Sequence, residues 1–366
     1  MPAATTGRSL LAHYLVALYG LAIMYASLQP FGRWIMPESG TPFFLFTPLP
    51  PRWTRFDVIA NVVAYVPFGF FVALAQHRES AQARLSAAVA AGALLSFIME
   101  TAQMFLPPRD ASTVDLLANA AGAAAGGIVA VFILRSERAG RAVTAFRNHW
   151  FLRGNVGDLG LALLVIWLAV QANPGIPLFA TTFDPDFRLG PADAGATLRE
   201  STDVVAALLA AANSALQLLG VGLFVALLLR RRRHVGGAVL LLVIAALTVK
   251  GVAAALLLKP AIWEHWLAPG ISTGVAVGSL LLLAAIWLPR PAQVALAAIA
   301  LLSSVLTPLL TPDVLHAHAP LWVFNWSYGH LLNFNGLTHT VLVVWPLAAS
   351  AFLFALAGRP GWGEPD

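Results

Sequence analysis

The 366-residue chain contains no cysteine. That absence excludes a disulfide frame and any thiolate-liganded metal site. Charge is almost as scarce. Asp, Glu, Lys and Arg make up 11% of the residues, where a soluble domain carries about 25%. With 59% hydrophobic residues and a mean hydropathy of +0.77, the composition excludes an ordinary water-covered globule. Several catalytic signatures are also missing: a metalloprotease helix, a nucleophile elbow and a Gly-rich phosphate loop. There is no short-period repeat, no coiled-coil heptad and no low-complexity tail. The short alternating segments of a transmembrane β-barrel are absent too.

What is present is a recurring run of about 20 apolar residues, the length that crosses a bilayer as a helix. The fold class is therefore all-α, a polytopic integral membrane protein of about ten transmembrane helices. By eye they lie near 9–28, 57–75, 85–106, 113–134, 157–172, 203–229, 235–258, 268–288, 292–310 and 338–357. The run from Leu10 to Leu28 is too long for a signal-peptide core and lacks a small-residue cleavage site, so it reads as a retained first span.

The formal charge of +5 is spread through short loops between apolar runs, where basic residues orient a membrane protein. No nucleic acid partner is expected. With the N-terminus inside, fourteen of the 22 Lys and Arg residues fall on the cytoplasmic side, seven fall outside, and Lys250 lies within a span. This predicts a bacterial inner-membrane protein with both termini cytoplasmic. The organisation expected is a four-helix domain over 1–135, a basic cytoplasmic linker over 136–156, and a second membrane domain of about six helices over 157–366.

Scarce polar residues gather in the first four spans. The third span carries Glu100 and Gln103, three residues apart and on one face. Arg109 and Asp110 form the outer turn after it. The fourth span opens with Asp115 and Asn119, four apart. The second span repeats this pattern with Asp57 and Asn61. Three helices thus bring carboxylate–amide pairs to a similar depth. Glu100 lies about seven residues below its exit, or roughly 10 Å at 1.5 Å per residue.

An acid at the bilayer centre costs roughly 2.5–3.5 kcal/mol on insertion scales. That cost falls if the acids face one another, an arginine and water. Ala118, Gly122 and Gly126 form a small-residue ridge that admits a close neighbour. Pro67 and Gly69 are expected to bend the second span and open room beside it. The simpler readings stand beside this one. Asp57 and Asp115 also suit the start of a helix, Asn61 and Asn119 also suit interhelical hydrogen bonds, and Arg109 also suits a solvated turn. Ser112 or Thr113 is a candidate cap for the fourth helix.

These residues resemble the VanZ-like family. The pattern reads Asp57, Asn61, Tyr65-Val-Pro67-Phe-Gly69, Glu100-Thr-Ala-Gln103, Arg109, Asp115, Asn119 and Gly122. The Ser27-Leu-Gln-Pro30 stretch at the end of the first span fits as well. The likeness covers about residues 10–135, the usual four-span unit of the family. It implies a link to low-level resistance to teicoplanin, a lipid-tailed glycopeptide, or to cell-surface polysaccharide. It brings no established reaction, so catalytic residues remain unknown. No cofactor and no metal are expected.

The second half offers weaker signals. The segment 311–339 holds Asp313, His316, His318, His330 and His339, with Trp322 and Trp326. Its spacing matches no strong zinc signature, and an interfacial or re-entrant loop is the simpler reading. Lys250, deep in the seventh span, is expected to pair with a distant acid or to snorkel outward. The Pro-rich stretch QANPGIPLFATTFDPDF, with Asp184 and Asp186, reads as a turn-rich surface loop. Arg230 to Arg233 read as a cytoplasmic stop.

The function expected is binding or handling of a lipid-linked envelope precursor or lipophilic glycopeptide. The site would be Asp57, Asn61, Glu100, Gln103, Arg109, Asp115 and Asn119, facing outward. The partners would be membrane lipid and a polyprenyl-linked precursor or lipoglycopeptide. The alternatives are an intramembrane enzyme acting on a lipid-linked substrate, with Glu100 as general base, and a lipid or solute transporter.

Overall fold

Each apolar run becomes a helix, and the helix starts follow from ordinary capping chemistry. The computed structural model describes residues 9–29, 31–47, 54–76, 79–107, 109–181, 204–264, 266–267, 270–311 and 329–359. In order the helices are α1 (Leu11–Leu28), α2 (Arg55–Ala75), α3 (Ala81–Gln103), α4 (Thr113–Arg135), α5 (Glu137–Trp150), α6 (Gly154–Val170), α7 (Val204–Leu228), α8 (Val235–Leu257), α9 (Ile271–Ala285), α10 (Arg290–Leu310) and α11 (Gly329–Ala357). Ser80 accepts the Ala83 amide at 3.1 Å to start α3, and Ser112 accepts the Val114 amide at 3.1 Å to start α4. Both are N-caps of the usual Ser type.

Among the described residues, eight helices are long and apolar enough to cross a membrane. The chain is an all-α, multi-pass membrane protein. The expected spans near 157–172 and 268–288 are helical as well, but α6 has 17 residues and α9 has 15. Neither reaches the roughly 20 residues that cover the hydrocarbon core unaided. The segment expected as a linker contains the 14-residue helix α5.

The chain forms two compact units, Met1–Asn148 and His149–Asp366. In the first, α4 is wedged between α2 and α3 through residues almost without side chains. A methyl group on Gly122 would overlap the Val62 carbonyl, and one on Gly126 would overlap the Val66 carbonyl. Ala123 sits between the bare backbones of Gly69 on α2 and Gly92 on α3. Close backbone approach of this kind drives helix association where lipid removes the hydrophobic effect. Gly69 therefore does not open room beside α2. The backbone of Ala123 fills the space, and α2 stays helical through Pro67. Below this contact Ile23, Tyr65, Phe68, Val72, Ala88 and Ala130 form an apolar core.

The second unit uses the same device. Gly270, Gly274 and Gly278 of the α9 stripe lie against Ala207, Ala211 and Ala215 of α7, each at four-residue spacing. Gly270 also takes φ +89°, the left-handed region that favours glycine.

The backbone after α6 is the unexpected part of this unit. Residues 171–181 are not helical, yet nearly all are buried. The sequence expectation of a surface loop is therefore corrected for this stretch. Non-helical backbone in an apolar setting must find its partners inside the protein. Lys250, with no exposed surface, donates to the carbonyls of Asn173 at 2.9 Å and Ile176 at 2.8 Å.

Lys250 thus takes neither expected role, since its contacts are backbone carbonyls just past the negative end of α6. The Asn173 amide donates to Asn335 at 2.8 Å and Thr338 at 2.7 Å on α11. The Asn213 side chain accepts the Thr181 amide and donates to the Ser304 carbonyl, both at 2.8 Å. The expected outer-loop residue His339 lies buried within α11. Asp184, Asp186, Asp313, His316, His318, Trp322 and Trp326 lie outside the described residues.

Two stability outcomes follow. Gly126→Leu should sharply lower the thermal stability of the detergent-solubilised protein, because its side chain meets backbone that cannot move aside. Overpacking alone costs about 1–3 kcal/mol. Gly140→Ala, with nothing within 4 Å of the added carbon, should be silent. Lys250→Met should strand two buried carbonyls at about 1–3 kcal/mol each, while Lys259→Met, at an exposed position, should change little. Thermal unfolding followed by fluorescence-detected size exclusion measures all four. A Lys250→Met protein as stable as its parent would show that the buried ammonium is not holding residues 173–176.

Candidate functional site

The polar residues of the first unit are placed by four helix ends. At the start of α2, Thr54 and Asp57 form a reciprocal capping box. The Asp57 carboxylate accepts the Thr54 amide at 2.9 Å and the Thr54 hydroxyl at 2.8 Å, while Thr54 accepts the Asp57 amide at 3.2 Å. Asp57 is thus engaged in starting its helix. One turn on, Asn61 donates its side-chain amide to Asp115 at 2.8 Å, joining α2 to α4.

Glu100 meets the start of α4. Its Oε2 accepts the Ser112 backbone amide at 2.8 Å, and the residue is 3% exposed. The first amides of a helix have no intrahelical partner and carry partial positive charge, so a carboxyl from another helix fits there. One turn below, Asn119 of α4 donates to the Ser96 hydroxyl of α3 at 2.9 Å, both side chains being buried. The buried Tyr65 hydroxyl lies near Ser96 and Glu100 without a hydrogen-bond partner.

The other end of the cluster holds α1. Gln103 donates to the Ser27 carbonyl and Arg109 to the Ala26 carbonyl, each at 2.9 Å. Those carbonyls belong to the last turn of α1, where a cation suits the dipole. Burial lowers the pKa of Arg109 in the turn between α3 and α4, and the nearby Glu100 and Asp115 carboxyls oppose that shift. Arg109 is therefore partly withdrawn from water rather than a fully solvated turn residue, whereas its neighbour Asp110 is exposed.

The segment between α1 and α2 folds over this end. Phe44 is buried against Phe43 and Phe97, and its carbonyl accepts the Thr113 hydroxyl at 3.1 Å. The Ile35 amide donates to the Phe105 carbonyl at 2.9 Å.

Not every polar atom here is matched. Arg109 Nε, Asn119 Oδ1 and Gln29 Oε1 are buried without a hydrogen-bond partner. Buried polar atoms are paired in the great majority of cases. An unpaired guanidinium N–H can donate to an anionic oxygen, and an unpaired amide oxygen can accept from a hydroxyl. Among the described residues, no three His, Asp or Glu side chains gather to hold a metal ion.

Of the seven residues singled out in the sequence, Asn61 and Asp115 touch each other directly. Glu100, Gln103, Arg109 and Asn119 reach neighbouring elements, and Asp57 is a cap. The reading from residues missed Ser96, Gln29 and the α1 carbonyls. Ser96 was within reach of it, being four residues before Glu100 and so on the same helical face. Backbone carbonyls and the fold-over of Phe44 carry no sequence signal.

Residues 11–135 match the family model described as VanZ/LLP1. No curated protein and no solved structure matches the chain. The matched stretch runs from the first residue of α1 to the last of α4 and contains the whole polar cluster. The first unit of this multi-pass membrane protein carries a VanZ-like domain.

Proposed function

We propose that the VanZ-like domain binds the head group of an amphipathic molecule of the bacterial cell envelope. The ligand class is a polyprenyl-linked precursor or a lipid-tailed glycopeptide, held from the outer leaflet of the plasma membrane with both chain termini cytoplasmic. The observation that carries this reading is the set of buried atoms without a protein partner: Arg109 Nε, Asn119 Oδ1 and Gln29 Oε1. A guanidinium with one edge committed to Ala26 and another edge uncommitted supports recognition of an anionic oxygen. The unpaired amide oxygens of Asn119 and Gln29 support recognition of sugar or peptide donors. The surrounding apolar helices suit the lipid tail.

A second reading rests on Glu100. A carboxyl this deeply buried, beside the proposed head-group position, supports hydrolysis or transfer on the same lipid-linked substrate. The two readings share the binding step and differ in whether the ligand leaves unchanged.

Native mass spectrometry of gently extracted protein tests the binding step. The parent protein should carry a polyprenyl-phosphate or precursor adduct. Arg109→Ala should reduce its occupancy by roughly tenfold or more, the scale of a lost charge-assisted hydrogen bond. Asp110→Ala, at an exposed position, should not. An adduct indifferent to Arg109→Ala, or none in the parent, overturns the reading. A chemically altered lipid recovered from proteoliposomes would move the assignment to the enzymatic reading.

Asp57→Ala separates capping from binding. Loss of the capping box should lower thermal stability by about 0.5–2 kcal/mol. Adduct occupancy in the surviving folded protein should stay unchanged. A selective loss of adduct at parental stability would instead place Asp57 at the ligand.

A further inference from the structure

Helix α5 is unlike the other helices of the first unit. Its sequence ERAGRAVTAFRNHW is strongly amphipathic and has low overall hydrophobicity. At 100° per residue, Ala142, Val143, Phe146 and Trp150 share one face. Arg138 and Arg147 flank that face on either side, and Arg141 lies on the opposite one. The helix holds three arginines against one acid, Glu137.

Among the described residues, much of the apolar face is exposed. Val143 is 65% exposed and Phe146 45% exposed. In its last turn the Trp150 ring stacks on His234 at 4.7 Å. The position of the helix decides what else can cover it. The membrane-crossing helix α4 ends at Arg135, and α5 begins two residues later after the break at Ser136. A helix tethered that closely to the end of a span stays at the membrane surface. Its roughly 21 Å length, at 1.5 Å per residue, suits an orientation along that surface.

We infer that α5 lies in the plane of the bilayer surface and binds anionic lipid. Val143 and Phe146 enter the boundary between head groups and acyl chains. Arg138 and Arg147 stand at the level of lipid phosphates, with their aliphatic stems along the apolar side. Arg141 faces the aqueous side and adds to the attraction of a negatively charged leaflet. The contact is independent of the polar cluster between α1 and α4.

The cysteine-free chain makes the test direct. Single cysteines placed by Val143→Cys, Phe146→Cys and Thr144→Cys in the full chain carry a nitroxide label. The proteins are reconstituted in nanodiscs of phosphatidylcholine with or without phosphatidylglycerol. Collisional relaxation by oxygen and by a water-soluble nickel chelate then reads the depth of each label. Labels at 143 and 146 should be reached by oxygen and shielded from nickel, and the label at 144 should show the reverse. In parallel, native mass spectrometry compares retained phosphatidylglycerol with phosphatidylcholine. The paired change Arg138→Gln and Arg141→Gln should cut that preference roughly fivefold per arginine.

Labels at 143 and 144 that are equally open to nickel would place α5 in water and overturn the inference. Shielding of position 143 from both agents would mean a protein cover, which also overturns it. Depth unchanged but a lipid preference indifferent to both arginine replacements would overturn the anionic-lipid assignment.

Discussion

The contact of bare backbone between α2 and α4 sets the geometry of the first unit. Gly122 leaves room for the Val62 carbonyl, and Gly126 for the Val66 carbonyl. Asn61 immediately precedes Val62, and Asp115 lies two helical turns before Gly122. The 2.8 Å hydrogen bond between their side chains exists because the two helix axes approach this closely. A wider separation, as bulky residues at the ridge would impose, would carry Asn61 out of reach. The same wedge puts Ala123 against Gly92 of α3 and so brings Ser96 within hydrogen-bond distance of Asn119. Small residues and polar residues are therefore parts of one arrangement, with the first setting the spacing that the second requires.

The second unit answers the same constraint in a different place. Its α7–α9 contact uses glycines against alanines. Polar groups concentrate instead where the helix pattern stops, at residues 171–181. Each irregular turn there exposes backbone groups that water cannot reach, so side chains from other helices supply the partners. Lys250 is an economical choice for the carbonyls, since one ammonium offers three donors on a flexible stem. Asn173 and Asn213 each act as donor and acceptor at once, which is how one residue can link two elements to a turn.

Helix positions were legible in the sequence because hydropathy reports burial in lipid directly. Even the short α6 and α9 left apolar runs of the right phase. The residues of the polar cluster were legible for a related reason: acids and amides are rare enough in such a chain that their recurrence at four-residue spacing stands out. Partner choice was not legible. Nothing in the spacing says that Asp57 closes on Thr54 while Asp115 closes on Asn61, because both are acids near the start of a helix. The stretch from Gln171 to Thr181 was misread because proline and glycine signal a turn without saying whether it is covered. Its burial depends on Lys250, 77 residues from Asn173 in sequence. The amphipathic pattern of α5 was present in the letters but masked by the arginine count, which read as loop charge.

The proposed binding role of the first unit rests on the contrast between its satisfied and unsatisfied polar atoms. Asn61 and Gln103 make hydrogen bonds that hold helices together and Asp57 caps its own helix, and for these a structural role suffices. Arg109 and Asn119 make one such bond each and still have a buried atom left over. Helix association explains the first contact but not the second, because leaving a buried donor or acceptor unpaired opposes folding. A smaller residue could have supplied the single contact without that penalty: a serine could donate to the Ser96 hydroxyl. Under the proposed binding role, that surplus capacity is what a head group with anionic and hydroxyl oxygens would use.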